Sequence, residues 1–428
     1  FLLVKSLNLF KFRRTPVIGA FLFSILPWNV FFARIGYEMN LALTIFSAGI
    51  LALWLGLKKP WFIVFGFTLL SLSTYAAHTQ LYLAPIFIIV FGAVFREVLF
   101  GKSHLKLTLT GIAIAVVLQI PHFFLLATPA FWNKTDLFYK SSSFFREFLS
   151  QFFTYFSPRS LFSLPDPDLQ RSIPGLSVFY FWMIVPYLVG LYFLFRNIRA
   201  SENKFVFILA VLAPIPASLA PDPFSTQRAL PALLPLSLII ILGLDRLIFK
   251  KPLTLILLFP LLILSLFFLW RSYFLFLPKE RARIWGYGFR ELSEEIIRRP
   301  TEKFVIDEAR IKPAYIELLF FLKYPPEKLH EAVEKSIKDN YYANPPFNSR
   351  YEFANIQTRG IIWEEDVYKN QILVGDKLAV SKEQATAHFL ERVFEIRDPL
   401  GEIVFQGLRT NPVKKCLAYR DKRCDGVR

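Results

Sequence analysis

Cysteine is almost missing from this chain of 428 residues. The two present, Cys416 and Cys424, both lie in a basic tail. No histidine stands near them, which argues against a zinc site. If the tail lies in an oxidising compartment the two thiols are spaced to pair, and otherwise they are separate thiols in a frayed terminus; both readings stay open. Charge is missing from the middle of every long apolar run. Asp245 and Arg246 lie near one end of a run and Arg271 near one end of another, so no buried ion relay of the kind a pump displays is present, which argues against an ion-coupled transporter. The region after residue 278 has no Gly-rich phosphate loop, no metal-spaced His/Cys cluster and no internal repeat. The first residues, Phe1-Leu2-Leu3-Val4 before Lys5, run in the wrong order for a signal peptide and contain no Met. They read as the last turn of a helix, and the expectation is that part of the protein precedes Phe1.

Apolar residues are abundant. They make up 54% of the chain, with 48 Phe, and the mean hydropathy is +0.42. That exceeds what a soluble domain with one polar surface usually carries. About nine apolar runs of near-spanning length follow one another, near 16–33, 40–57, 61–77, 81–95, 107–127, 176–195, 205–219, 229–248 and 253–276. Prolines interrupt many of them, as membrane helices tolerate. Lys and Arg gather in every second connection: Lys5 to Arg14, Lys58-Lys59, Arg96 to Lys106, Arg196 to Lys204, and Arg246 to Lys251. Short basic loops stay in the cytoplasm, so these mark the inner side and the remaining connections face out. Much of the excess behind the net charge of +17 sits in these inner loops, where topology and anionic headgroups explain it, and nucleic acid is not the expected partner.

The expected fold is a multi-span α-helical membrane protein over 1–277, followed by an extracytoplasmic α/β domain over 278–428. In that domain Trp285 to Arg299 and Pro313 to Lys323 read as helices. Lys303 to Asp307, Gly360 to Trp363, Gln371 to Val374, Val393 to Ile396 and Glu402 to Phe405 read as strands. The outer connection 128–175 is too long for a simple link. In it Phe144, Phe145, Phe148, Leu149, Phe152, Phe153 and Phe156 fall at helical spacing while Arg146, Glu147, Ser150, Gln151 and Thr154 occupy the other face, the pattern of a helix lying in the headgroup plane. Such a helix either helps seat a lipid-linked substrate or only anchors the bundle. Asn133-Lys-Thr135 matches a glycosylation sequon, which means little in a bacterial chain.

Four outer segments carry a resemblance. They are Leu26-Pro-Trp28 followed by Ala33-Arg-Ile-Gly-Tyr-Glu38; Tyr155 to Phe162 with Asp166 and Asp168; Ser172-Ile-Pro-Gly175; and Pro214 to Pro231. In this order, from about Pro27 to Leu247, the chain resembles the bacterial polyprenyl-phosphate-sugar-dependent glycosyltransferases of the GT-C superfamily, the family 39 or dolichyl-phosphate-mannose-protein mannosyltransferase-like group. The resemblance implies a plasma-membrane enzyme of the cell envelope that moves a sugar from a polyprenyl phosphate to an extracytoplasmic acceptor with inversion. It also implies a general-base Asp in a first outer loop, which here would lie before Phe1, so activity of the chain as given is not assumed. It leaves the donor sugar, the acceptor and any divalent metal open, and names no cofactor beyond the lipid-linked donor.

Breaking a glycosyl phosphate requires stabilising the departing phosphate, and a guanidinium fork suits its oxygens. Arg228 is the leading candidate; the alternative is an interfacial arginine that anchors a helix end. Arg34 and Glu38, four apart on one helical face, are a phosphate- or acceptor-positioning pair or a local salt bridge. Asp222, between Pro221 and Pro223, orients Arg228, binds a sugar hydroxyl, or is an ordinary turn residue. His78 and Tyr82, on either side of a tight turn at Thr79-Gln80, are weaker candidates, and Arg159, Asp166 and Asp168 weaker still. The competing classes are a transporter or flippase of lipid-linked substrates, its Pro-broken helices acting as gates, and a membrane scaffold whose outer domain binds a partner.

Overall fold

The computed structural model describes residues 1–126, 128, 143–250, 254–308, 313–337, 351–419 and 424. The sequon at 133–135 lies outside the described residues. The chain divides into two compact units, Phe1–Phe276 and Leu277–Arg428.

The first unit is helical. Its principal helices are α1 (Thr15–Ile25), α2 (Pro27–Arg34), α3 (Glu38–Gly56), α4 (Trp61–Ala76), α5 (His78–Val94), α6 (Leu105–Leu126), α7 (Phe144–Thr154), α8 (Ile184–Arg196), α9 (Ser201–Leu212), α10 (Leu233–Lys250) and α11 (Thr254–Trp270). Among the described residues four helical stretches are long and apolar enough to cross a membrane: α3, α6, Leu230–Ile248 and Ile256–Glu280. The pair α1 and α2, bent by 60°, makes up to five. The nine expected spans are therefore not all of full length. The expected span 16–33 breaks because Pro27, at the first position of α2, cannot continue the hydrogen bonding of α1. That expected over 205–219 breaks at Ala213-Pro214, and that over 176–195 becomes regular only from Phe181.

Glycines set the tightest contacts. α3 runs along α4 with Gly49 against Leu70, Gly56 against Ile63 and Gly66 against Leu53. α8 and α10 touch backbone to backbone, so that a Cβ on Gly190 would overlap the Ile239 carbonyl and one on Gly243 the Pro186 carbonyl. Small residues permit such approach between apolar helices. One buried carboxylate secures the entry to α1: Asp245, on α10, accepts from the backbone N–H groups of Lys11 and Phe12, each at 2.9 Å, and from the Thr15 hydroxyl at 2.6 Å. α6 and α7 expose apolar side chains. Only 6% of the α6 stretch is buried, with Phe123, Phe124 and Val117 among its exposed side chains. α7 buries no residue, and Phe144, Phe148 and Phe152 stack along it with Phe145 and Phe153 exposed.

The second unit holds a mixed sheet of β1 (Phe304–Ile306), β2 (Tyr351–Phe353), β3 (Ile356–Thr358), β4 (Ile372–Gly375), β5 (Glu391–Arg397) and β6 (Ile403–Arg409), in the order β2-β3-β1-β4-β6-β5. β1 is parallel to β3 and β4, and the remaining pairs are antiparallel. α12 (Phe289–Ile297) and α13 (Ala314–Phe321) cover the sheet, Phe289, Leu292 and Ile296 packing on Phe304, Val374 and Phe405. α12 starts later than Trp285 because Gly286 and Gly288 take left-handed backbone, φ 73° and 98°. The strand expected at 360–363 is absent. Trp363–Asp366 is a helical turn instead, its start held by Asp366, which accepts from the Ile362 N–H at 2.8 Å. The hairpin β2–β3, turning at Ala354-Asn355, was not anticipated. Cys416 and Cys424 are joined as a disulfide, Cα to Cα 5.6 Å.

Candidate functional site

The break between α1 and α2 is where distant parts of the chain meet. Trp28 Nε1 donates to the Thr226 carbonyl at 3.0 Å, and the Trp28 N–H to the Val178 carbonyl at 3.4 Å. The Tyr180 hydroxyl donates to the Ile25 carbonyl at 2.6 Å. The last two bonds take up backbone groups left by the proline break, the Trp28 N–H and the Ile25 carbonyl. They also explain why 176–180 is not helical: its backbone is committed to the break in another helix.

Behind Trp28 the turn Pro221 to Arg228 is held by the segment 155–172. Buried Tyr155 stacks on Phe224 and accepts the Ser225 N–H at 2.8 Å through its hydroxyl oxygen. Phe224 has φ 48°, a left-handed conformation costly for a bulky side chain and stable only where its surroundings hold it. Asp166 Oδ2 accepts from the Thr226 N–H and hydroxyl, at 2.8 and 2.7 Å, and its Oδ1 from the Asp168 N–H at 2.8 Å.

Arg171 is the hub. Its side chain is 6% exposed, and its Nη1 donates to Asp222 Oδ2 and to Ser225 Oγ, both at 2.6 Å. Nη2 lies 3.4 Å from Asp166 Oδ1 and Nε 3.2 Å from Asp168 Oδ2. Asp222 Oδ2 accepts a second charged bond, from Arg228 Nη1 at 2.7 Å, so one carboxylate joins a buried and an accessible arginine. Three carboxylates thus face two guanidinium groups. Burial works against ionisation of Asp222, yet the bonds and charges of Arg171 and Arg228 outweigh it and hold the carboxyl below its ordinary value. Deeper burial wins at Asp166, whose carboxyl is pushed up despite Thr226 and Arg171. Burial likewise pushes the Tyr155 hydroxyl up.

A small cavity of ≈ 20 Å³ opens beside this cluster, lined by Trp28, Phe31, Phe32, Asp166, Arg171 and Ser172 among others. It has room for about one water. Arg171 Nε and Ser172 Oγ, both buried, make no hydrogen bond among the described residues.

The residues singled out from the sequence divide. Asp222 and Arg228 lie in the cluster, with Asp166 and Asp168. Arg34 and Glu38 do not share a helical face: α2 ends at Arg34, Ile35 is extended, and Glu38 opens α3. Gly36 and its neighbours turn the chain between them. Arg34 Nε instead donates to the Tyr273 hydroxyl at 3.1 Å, with the guanidinium over that ring. Glu38 stays close through its neighbour. The Tyr37 hydroxyl is pushed up by burial and then by the charges of Asp168 and Glu38, and pulled down by Arg171. His78 and Tyr82 do not flank a turn; the turn is at extended Ala77, and both lie in the first turns of α5, four residues apart. Arg159 is in a short helix, Pro158–Phe162, apart from the ion pairs. Arg171 was missed altogether. Its signal was slight, a single arginine following two aspartates just before Ser172-Ile-Pro-Gly175.

Among the described residues no group of three or more His, Cys, Asp or Glu is placed to hold a metal ion. Nothing matches this chain among protein-family models, curated proteins or solved structures.

Proposed function

We propose that this chain is a multi-pass protein of the plasma membrane, with the 277–428 unit outside. In this reading it belongs to a glycosyltransferase of GT-C type that takes a sugar from a polyprenyl phosphate. One observation carries the reading: the segments that bear the resemblance, though separated by up to about two hundred positions, are joined by hydrogen bonds around Trp28, Asp166, Arg171, Asp222 and Thr226. The apolar exposure of α6 and α7 supports the membrane placement, because soluble surfaces rarely carry such continuous patches. The Cys416–Cys424 disulfide supports an oxidising compartment for the second unit.

In this reading Arg228 is the phosphate contact. Its side chain is 39% exposed, and its bond to Asp222 is made through Nη1, which leaves further donors of the fork for a phosphate. Asp222 aims it, and Arg171 fixes Asp222 from behind. Charge building on the leaving phosphate is met by a preorganised cation, worth several kcal/mol of barrier in comparable sites, about 3 to 4. The strained Phe224 turn and the Trp28 contact hold the geometry against recoil. The test is turnover of a polyprenyl-phosphate sugar by the complete gene product, wild type against Arg228→Ala. The expected result is a fall in rate of about a hundredfold or more at equal membrane expression. Full activity in the variant would remove Arg228 from the assigned role, and no turnover of any such donor by the wild type would remove the activity.

A further inference from the structure

At the opposite, basic end of the helical unit there is a second cavity, ≈ 590 Å³ in volume and unrelated to the Arg171 cluster. Three arginines line it: Arg196 at the last turn of α8, Arg199 in the α8–α9 connection, and Arg246 on α10. Glu202 is the one acidic residue among its lining side chains. The position is prepared by structure rather than by loose loops. Arg246 Nη2 donates to the Leu9 carbonyl at 2.7 Å and its guanidinium lies over the Phe193 ring, while Asn203 Nδ2 donates to the Asn197 carbonyl at 2.8 Å. Two buried polar atoms in this frame, Arg246 Nε and Asn203 Oδ1, have no hydrogen-bond partner among the described residues. A buried guanidinium N–H without an acceptor is costly, and an oxygen-rich anion relieves it.

The geometry points to a binding site for a phosphate group in this cavity, held by Arg196, Arg199 and Arg246. Guanidinium forks match phosphate oxygens, three positive charges against one negative favour an anion, and a volume of this size admits a headgroup as well as an ion. Topology alone asks only that basic residues lie on the inner side; it does not ask that three of them line one cavity beside a buried guanidinium N–H, that of Arg246 Nε, which has no acceptor among the described residues. The inference rests on the membrane placement and is independent of glycosyl transfer. The phosphate has two possible sources, an anionic phospholipid of the inner leaflet or free inorganic phosphate.

The purified full chain in detergent is titrated with phosphatidylglycerol, with phosphatidylcholine and with inorganic phosphate, and binding is read by native mass spectrometry. Arg196 and Arg199 are exposed, so the double variant Arg196→Gln, Arg199→Gln tests the site without disturbing the fold, and Lys58→Gln, Lys59→Gln serves as a control on the same side. The expected result is tighter binding of phosphatidylglycerol than of phosphatidylcholine, lost by about thirtyfold in the arginine variant and kept in the lysine control. Competition by millimolar inorganic phosphate, equally abolished by the arginine variant, assigns the site to the free ion. No preference for phosphatidylglycerol together with no phosphate binding, or equal loss in the lysine control, overturns the site. A chain that does not insert in lipid nanodiscs removes the membrane placement itself.

Discussion

Asp222 serves two arginines that differ in burial, and removing them has different consequences. Arg171→Ala leaves Asp166 and Asp222 without their buried partner, a loss of about 3 to 5 kcal/mol, expected to appear as a collapse in folded yield. Arg228→Ala removes a partly exposed partner and costs stability about 1 kcal/mol or less, so its folded yield stays near wild type while function falls. Fluorescence-detected size-exclusion of the two variants checks this contrast. In the second unit Asp366 plays a role like that of Arg171. It receives Arg359 through two bonds of 2.7 Å, and Gln371 at 3.0 Å. Burial opposes its ionisation, but Arg359, the Ile362 N–H and Gln371 together hold its carboxyl below the ordinary value. Because the folded value lies below the unfolded one of about 3.9, its stabilisation is complete above that pH and is lost as pH falls through the folded value. Asp366→Asn is therefore expected to destabilise at pH 7 and to flatten the acid limb below about pH 4, which amide exchange of β4 followed from pH 7 down to about pH 2 measures. Asp222 and Arg228 were legible because a Pro-Asp-Pro turn and an arginine at the end of an apolar run are local signals. Arg171 was not, because its importance comes from three carboxylates brought together from positions 166 to 222, and no spacing rule reports that.

At the level of elements, apolar length and period located the principal helices of the first unit, since those signals lie within the segment, but not the helices Pro326–Ile337, Lys382–Ala387 and Pro412–Ala418 of the second. Boundaries went wrong where a partner decided them. Leu176 to Tyr180 is apolar enough for a helix, yet its backbone bonds Trp28 and Leu161 instead. The Arg34/Glu38 pairing failed because it assumed a helix through Ile35-Gly36-Tyr37. The hairpin β2–β3 was overlooked because its strands are only three residues each, and Ala354 takes the left-handed turn position without a glycine to announce it. The α8–α10 crossing is the contact least able to adjust, since it is backbone on backbone. Gly243→Leu is expected to abolish the folded protein, whereas Gly92→Leu, with nothing within 4 Å of a new Cβ, is expected to be near neutral; thermal melting in detergent separates them.

For the whole molecule, the alternation of basic and basic-poor connections supplies only an expected sidedness, and that expectation is the frame for both proposed sites. The Arg171 cluster lies among basic-poor connections, and the arginine cavity among basic ones. Single cysteines placed at Lys58 and at Asp168 are expected to label with a membrane-impermeant maleimide from opposite sides of the membrane, and labelling from the same side contradicts the topology. The central claim is that sugar transfer from a polyprenyl phosphate takes place at the Asp222–Arg228 end, outside the cell. The most direct measurement supplies donor and a membrane-impermeant acceptor to right-side-out and to inverted vesicles carrying the complete gene product. The account predicts transfer in right-side-out vesicles, abolished by Arg228→Ala, and none in inverted ones; transfer in inverted vesicles alone, or transfer that ignores Arg228, contradicts it.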